Sequence, residues 1–323
     1  MRRFLIWLAA IVAALGALFL AGPQTPADVA ASFDPSAIGS DSAAYLAAAE
    51  AKTPNIRPGQ AKQIIWAEPN RAKTPLAIVY IHGFSASSGE VRPLPDKVAA
   101  ALGANLYFTR LTGHGQDAAA MGEARIGDWA NDYAEAIAIG RTIGEKVVVI
   151  ATSTGASLAV VEAADMKTSK DIAGFIFISP NFGVQASGSF LLTLPWGRQI
   201  AELVIGPERG FEPRNERQAQ FWTTRYPTRA LLPMARLVKL AAETPVETIA
   251  TPALFIFSER DQVVRPEITR SIAARWGGPH ALEVVEQSGD PDMHVIAGDI
   301  LSPSTTDALA ARAVDWIAKL PRP

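Results

Sequence analysis

The chain has 323 residues, of which 49 % are hydrophobic and 19 % charged, and its 30 Lys and Arg against 32 Asp and Glu leave a formal charge of −2. Without a basic excess there is no electrostatic footprint for a nucleic-acid partner. Cysteine is absent, which removes disulfides, thiolate metal sites and a cysteine nucleophile, and any imidazole chemistry must use His82, His114, His280 or His294.

Residues 4–21, FLIWLAAIVAALGALFLA, carry no charge. As a helix this stretch is about 27 Å long, close to the hydrocarbon thickness of a bilayer. Arg2 and Arg3 precede it, and the next basic residue is Lys52. That asymmetry places the N-terminus in the cytoplasm and the rest of the chain on the periplasmic or extracellular side. A cleavable signal has a shorter apolar core, about 7–15 residues, and Pro23 stands where cleavage would fall. Residues 1–22 are therefore read as a single-pass membrane anchor, with secretion after signal cleavage as the alternative. Residues 23–62, rich in Ala, Pro, Ser and Asp, read as a linker and strap with one short helix at 41–52.

Beyond the strap, short apolar runs at 76–81, 105–108, 146–150, 174–178, 253–257 and 281–285 alternate with helical patterns at 94–102, 127–143, 154–165, 267–275 and 305–319. Most of the runs are continuously apolar, as in strands buried on both faces, and the alternation predicts a parallel sheet covered by helices. Residues 181–251 separate two of these strands by far more than a usual connection. This interval is rich in aromatic residues and reads as an inserted lid.

Four segments carry chemistry. Ala151-Thr152-Ser153-Thr154-Gly155 follows a buried strand and opens a helix. It matches the Gly-x-Ser-x-Gly elbow, with Ala in the first small position, which exposes a serine hydroxyl on a sharp turn. His82-Gly83-Phe84 follows another strand, where the Phe84 amide can join that of Thr154 as an oxyanion hole. His82 itself reads as a turn residue, and His114, between two glycines, as structural or at the pocket rim. Asp261, with Glu259 as the alternative, lies in the loop after the strand at 253–257 and suits the acid that orients a histidine. His294 follows the last strand and completes the order Ser, Asp, His, whereas His280 precedes that strand, at the opposite edge of the sheet.

These segments, in this order, resemble the α/β-hydrolase superfamily, and most of all its lidded branch of monoacylglycerol lipases, carboxylesterases, lysophospholipases and serine aminopeptidase-like hydrolases. The resemblance spans residues 63–320. It implies an α/β fold with a mostly parallel central sheet, helices on both faces and a helical cap at 182–250, here preceded by one transmembrane helix. It further implies Ser153 as nucleophile, His294 as base, Asp261 as the orienting acid, no cofactor and no metal. The elbow reads Ala-Thr-Ser-Thr-Gly where many lidded lipases carry Gly-His-Ser-Met-Gly, a departure that bears on the activity rather than on the nucleophile.

The expected substrate is a small acyl ester, with monoacylglycerol or lysophospholipid favoured, contacted by Phe84, Trp196 and Trp222. One alternative is a proline iminopeptidase-like activity, whose substrate amine would need an acid such as Glu202, Glu208 or Glu212. Another is a non-catalytic envelope protein on the same fold.

Overall fold

Strand residues in the centre of this protein alternate between two helical layers, so the central strands are buried on both sides. The computed structural model describes residues 1–165 and 169–320. Its main sheet contains β1 (Gln63–Ile65), β2 (Thr74–Ile81), β3 (Asn105–Phe108), β4 (Gly144–Thr152) and β5 (Ile172–Ile178), while β6 (Glu208–Gly210) and β7 (Arg225–Pro227) form a separate antiparallel pair. The main sheet ends with β8 (Ala253–Phe257) and β9 (His280–Val284), giving the order β1-β3-β2-β4-β5-β8-β9. Among the described residues, every pairing within the main sheet is parallel except β1 with β3.

The alternation is clearest in β2. Ala77, Val79 and Ile81 join a cluster with Ile137, Leu158 and Trp276, while Ile78 and Tyr80 join one with Leu94, Leu309 and Trp316. A period of two thus serves two cores. Helices α3 (Leu94–Leu102) and α11 (Pro303–Ile317) cover one face; α5 (Ile126–Ile143), which follows the short α4 (Ala118–Glu123), α6 (Thr154–Ala163) and α10 (Pro266–Arg275) cover the other.

The mostly parallel sheet has the architecture anticipated from the sequence, and β3, β8 and α3 have the predicted bounds. Strand β1 was not anticipated, because three partly exposed residues show no periodicity. His280 does not precede the last strand but begins it, paired with Ala253.

Residues 2–20 form helix α1 (Arg2–Leu20), in which no residue is buried. By length and composition it can cross a membrane. The strap carries α2 (Ser42–Glu50), capped by Asp41, whose Oδ1 accepts from the amides of Ala43 and Ala44. Glu50 pairs with Arg110 at 2.7 Å, Tyr45 donates to Glu135 at 2.7 Å, and Lys62 lies between Asp132 and Glu135. These largely buried charges are mutually paired, as burial requires, and they fasten the strap to α5 and to the loop after β3.

Between β5 and β8 the chain forms α7 (Gly197–Ile205), the β6–β7 pair, α8 (Glu216–Phe221) and α9 (Leu231–Glu243). Leu237, Val238 and Ala241 of α9 are buried in the core cluster that also holds α6, which fixes the insertion over the elbow.

Candidate active site

Ser153 sits where β4 turns sharply into α6, at φ 50° and ψ −119°. A residue with a Cβ is strained in that region, and the surroundings must hold it there. They do so with two backbone bonds: the Ser153 amide donates to Ile178 at 2.9 Å, and its carbonyl accepts from Asn181 at 3.0 Å. Close approach of two turns explains the glycine two positions on. A Cβ at Gly155 would lie 2.5 Å from the His82 carbonyl oxygen and 2.6 Å from that of Ile81. Ala151, the first small residue, is fully buried in β4 between Ile81 and Phe177.

The three residues expected to act together meet. His294 Nε2 lies 3.0 Å from Ser153 Oγ, and Nδ1 lies 2.8 Å from Asp261 Oδ2. Because a carboxylate only accepts, Nδ1 carries the proton and Nε2 is free to accept from the hydroxyl. The second oxygen of Asp261 accepts from the amides of Val263 (2.8 Å) and Val264 (2.9 Å), so the carboxylate cannot rotate freely. Glu259, the alternative acid, instead pairs with Arg270 on the surface.

Asp290, to which no role was ascribed from sequence, shapes the histidine loop. Its Oδ2 accepts from the amides of His294 (3.2 Å) and Val295 (2.9 Å), and its Oδ1 from that of Asp292 (3.2 Å). The signal was an Asp-Pro-Asp run just before the histidine, a composition that favours side-chain-capped turns. Burial alone would lower the His294 pKa. The charge and hydrogen bond of Asp261, aided by Glu90 and Asp290, instead hold it above its ordinary 6.5.

The two residues whose amides are expected to form an oxyanion hole, Phe84 and Thr154, line one cavity with Ser153. Thr154 begins α6, so its N–H is one of the unpaired donors of a helix N-terminus. The Phe84 amide belongs to the peptide unit whose carbonyl is that of Gly83. The Leu111 amide donates to His82 Nε2 at 3.0 Å, which leaves the proton on Nδ1, and Nδ1 donates to the Gly83 carbonyl at 2.9 Å. In a trans peptide the N–H points opposite to the C=O, so His82 fixes the direction of the Phe84 amide. His114 packs beside it, ring centroids 5.0 Å apart, and burial lowers the pKa of both imidazoles. Neither is placed as a proton carrier.

A cavity of about 780 Å³ opens over Ser153 and His294 beneath the insertion. Phe84 and Trp222 line it, together with Leu191, Leu192, Tyr226 and Met234. Trp196, expected at the substrate, is not among the lining residues. Its indole Nε1 donates to the Phe19 carbonyl at 3.1 Å and its amide to the Pro23 carbonyl at 2.9 Å, so it docks the end of α1 against the insertion. Of the three acids considered for an amine, Glu202 and Glu208 pair with Arg198 and Arg225, and Glu212 alone lines the cavity.

A profile of the alpha/beta hydrolase family matches residues 78–310. A thermostable monoacylglycerol lipase of Bacillus sp. (strain H-257) is 26 % identical over 201 residues, which cover 62 % of this chain and 76 % of that protein. A structure reported for the metagenome-derived lipolytic enzymes LipS and LipT superposes with a TM-score of 0.67 at 21 % identity, over 82 % of this chain and 100 % of the other. A soluble variant of monoglyceride lipase from Saccharomyces cerevisiae, in complex with a substrate analog, gives 0.60 at 11 % identity, over 80 % and 91 % of the two chains. At such identities the structural likenesses speak to the fold alone.

Proposed function

Because the chain belongs to the alpha/beta hydrolase family, we propose that it is a serine hydrolase of lipid-like carboxylic esters, with monoacylglycerols or lysophospholipids as the favoured class. The observation that carries this reading is the hydrogen-bonded series Ser153–His294–Asp261 at the floor of a largely apolar cavity. His294 takes the hydroxyl proton as Ser153 Oγ attacks the ester carbonyl, and Asp261 stabilises the imidazolium that forms. The Phe84 and Thr154 amides receive the developing oxyanion. The proton then passes to the leaving alcohol, and water, activated by the same His294, releases the acid from the acyl-enzyme.

The cavity volume is that of a site for a small organic ligand, and its aliphatic and aromatic walls suit an acyl chain. Helix α1 supports a placement as a membrane anchor, with the catalytic domain on the non-cytoplasmic side. Phe190, Leu203 and Val204, exposed on the insertion that Trp196 joins to the end of α1, agree with work at a lipid surface.

Kinetics on the full-length chain with a series of monoacylglycerols and p-nitrophenyl esters, beside aminoacyl amides, test the substrate class. Acyl esters of medium or long chain are expected to give the highest kcat/KM. Preference for an aminoacyl amide would move the assignment to an aminopeptidase, and absence of all turnover would leave a non-catalytic fold. The pH profile has a definite sign as well. Only neutral His294 can accept the proton, so kcat/KM should fall as the pH drops through a pKa above 6.5. A profile flat down to pH values well below that would remove His294 as the base.

A further inference from the structure

Glu90 is a carboxyl group beside the nucleophile that the triad chemistry does not use. It is 2 % exposed and is among the residues that line the cavity with Ser153 and His294. Its Oε2 accepts from the Gly83 amide at 2.7 Å and from the Tyr80 hydroxyl at 3.0 Å. A Cβ built on Gly83 would lie 2.7 Å from Glu90 Oε1 and 3.0 Å from Ser153 Cβ. The acid and the nucleophile thus press on one face of the same glycine.

This placement is expensive. A carboxyl group withdrawn from water is costly unless its partners compensate, and a backbone carbonyl could satisfy the Gly83 amide more cheaply. What the carboxyl adds is a grip from within the cavity. Glu90 holds the N–H of Gly83 while His82 holds its C=O at 2.9 Å. The peptide units on both sides of Gly83 are therefore fixed, and the second of them carries the Phe84 amide.

We propose that Glu90 is a positioning residue of the oxyanion turn, clamping Gly83 so that the Phe84 amide faces the tetrahedral centre, and that its carboxyl sets the charge seen by His294. This rests on the assignment of Ser153 as the nucleophile. Burial pushes Glu90 up to about 7, against the pull of the Gly83 amide, His294 and the Tyr80 hydroxyl. The charged and titratable groups acting on Glu90 are therefore Tyr80 and His294; those acting on His294 are Asp261, Glu90 and Asp290. When ionised, Glu90 favours protonated His294 and opposes the oxyanion; when neutral, it retains the acceptor that Gly83 needs.

Two variants of the full-length protein separate these contributions, with hydrolysis of one p-nitrophenyl ester as the readout and Ser153→Ala as the reference. Glu90→Gln keeps an acceptor for Gly83 and removes the charge. Its kcat should stay within about threefold of wild type, while the acid limb of kcat/KM moves to lower pH by about half a unit or more. Glu90→Leu removes the acceptor, and kcat should fall by about tenfold or more with KM little changed, the mark of an interaction made in the transition state.

If wild-type turnover disappears in Ser153→Ala while Glu90→Leu keeps wild-type kcat, or Glu90→Gln leaves the acid limb in place, the Glu90 assignment is overturned alone. If wild-type turnover survives in Ser153→Ala, or is absent, the Ser153 reading fails and takes the Glu90 assignment with it. The Gln variant carries the charge test even if the Leu variant does not fold.

Discussion

Ser153→Ala is expected to lower kcat/KM for ester hydrolysis by about 10⁴–10⁶-fold, leaving only the residual rate that the oxyanion amides and substrate binding support. The loss is large because the cavity offers no second nucleophile in the same place. The chain has no cysteine, and the hydroxyl 3.0 Å from His294 Nε2 is the group the elbow presents. The fold should be almost unaffected. The Ser153 side chain makes one hydrogen bond to the protein, worth about 1 kcal/mol, and its strained backbone is held by Ile178 and Asn181 through main-chain atoms that alanine retains. Steady-state kinetics and a thermal melt on the same preparation check both halves. Activity preserved in a folded Ser153→Ala protein would remove the serine from the mechanism.

The second large effect belongs to Asp261→Asn, for which a loss of about 10⁴-fold in kcat is expected with little change in shape. The reasoning is one of donors and acceptors. Oδ1 must remain an oxygen, because it accepts from the amides of Val263 and Val264 at 2.8 and 2.9 Å. The new amide nitrogen is then forced into the place of Oδ2, facing His294 Nδ1 at 2.8 Å. Two donors cannot share that contact, so the imidazole proton shifts to Nε2, and the nitrogen facing Ser153 can no longer accept. Glu259→Gln makes the informative control. Its partner is Arg270 on the surface, and surface pairs of this kind contribute about 0–1 kcal/mol to stability, so kcat should not change.

How much of this was legible in the sequence depends on whether a residue's role is set by its near neighbours or by distant ones. The strand at 253–257 and the helix at 94–102 were readable because five consecutive apolar residues and an amphipathic run are local signals. The serine elbow was readable for the same reason: strand, small residue, serine, small residue and helix occur within one short stretch. Asp261 and His294 followed from their positions after successive strands.

Other features needed the third dimension. Strand β1 exists only because Gln63, Ile64 and Ile65 find the free edge of β3. Trp196 was expected at the substrate as an aromatic residue within the insertion, yet it meets the end of α1 and is not among the residues lining the cavity. Glu90 follows Ser85, Ser87, Ser88 and Gly89, a polar stretch with no local sign of burial. Only the folding of that loop back over Gly83 buries it. Asp290 was hidden likewise, as a turn residue whose amide partners include the very histidine it positions.

The most direct test of the account is to treat the full-length protein with a fluorophosphonate probe and locate the adduct by peptide mass spectrometry. A serine whose neighbour accepts its proton attacks phosphorus, whereas an ordinary buried hydroxyl does not. The prediction is a single covalent adduct on Ser153, formed in the wild-type protein and lost in both Ser153→Ala and His294→Ala. An intact protein that takes up no probe, or an adduct on another residue that persists in Ser153→Ala, would contradict it.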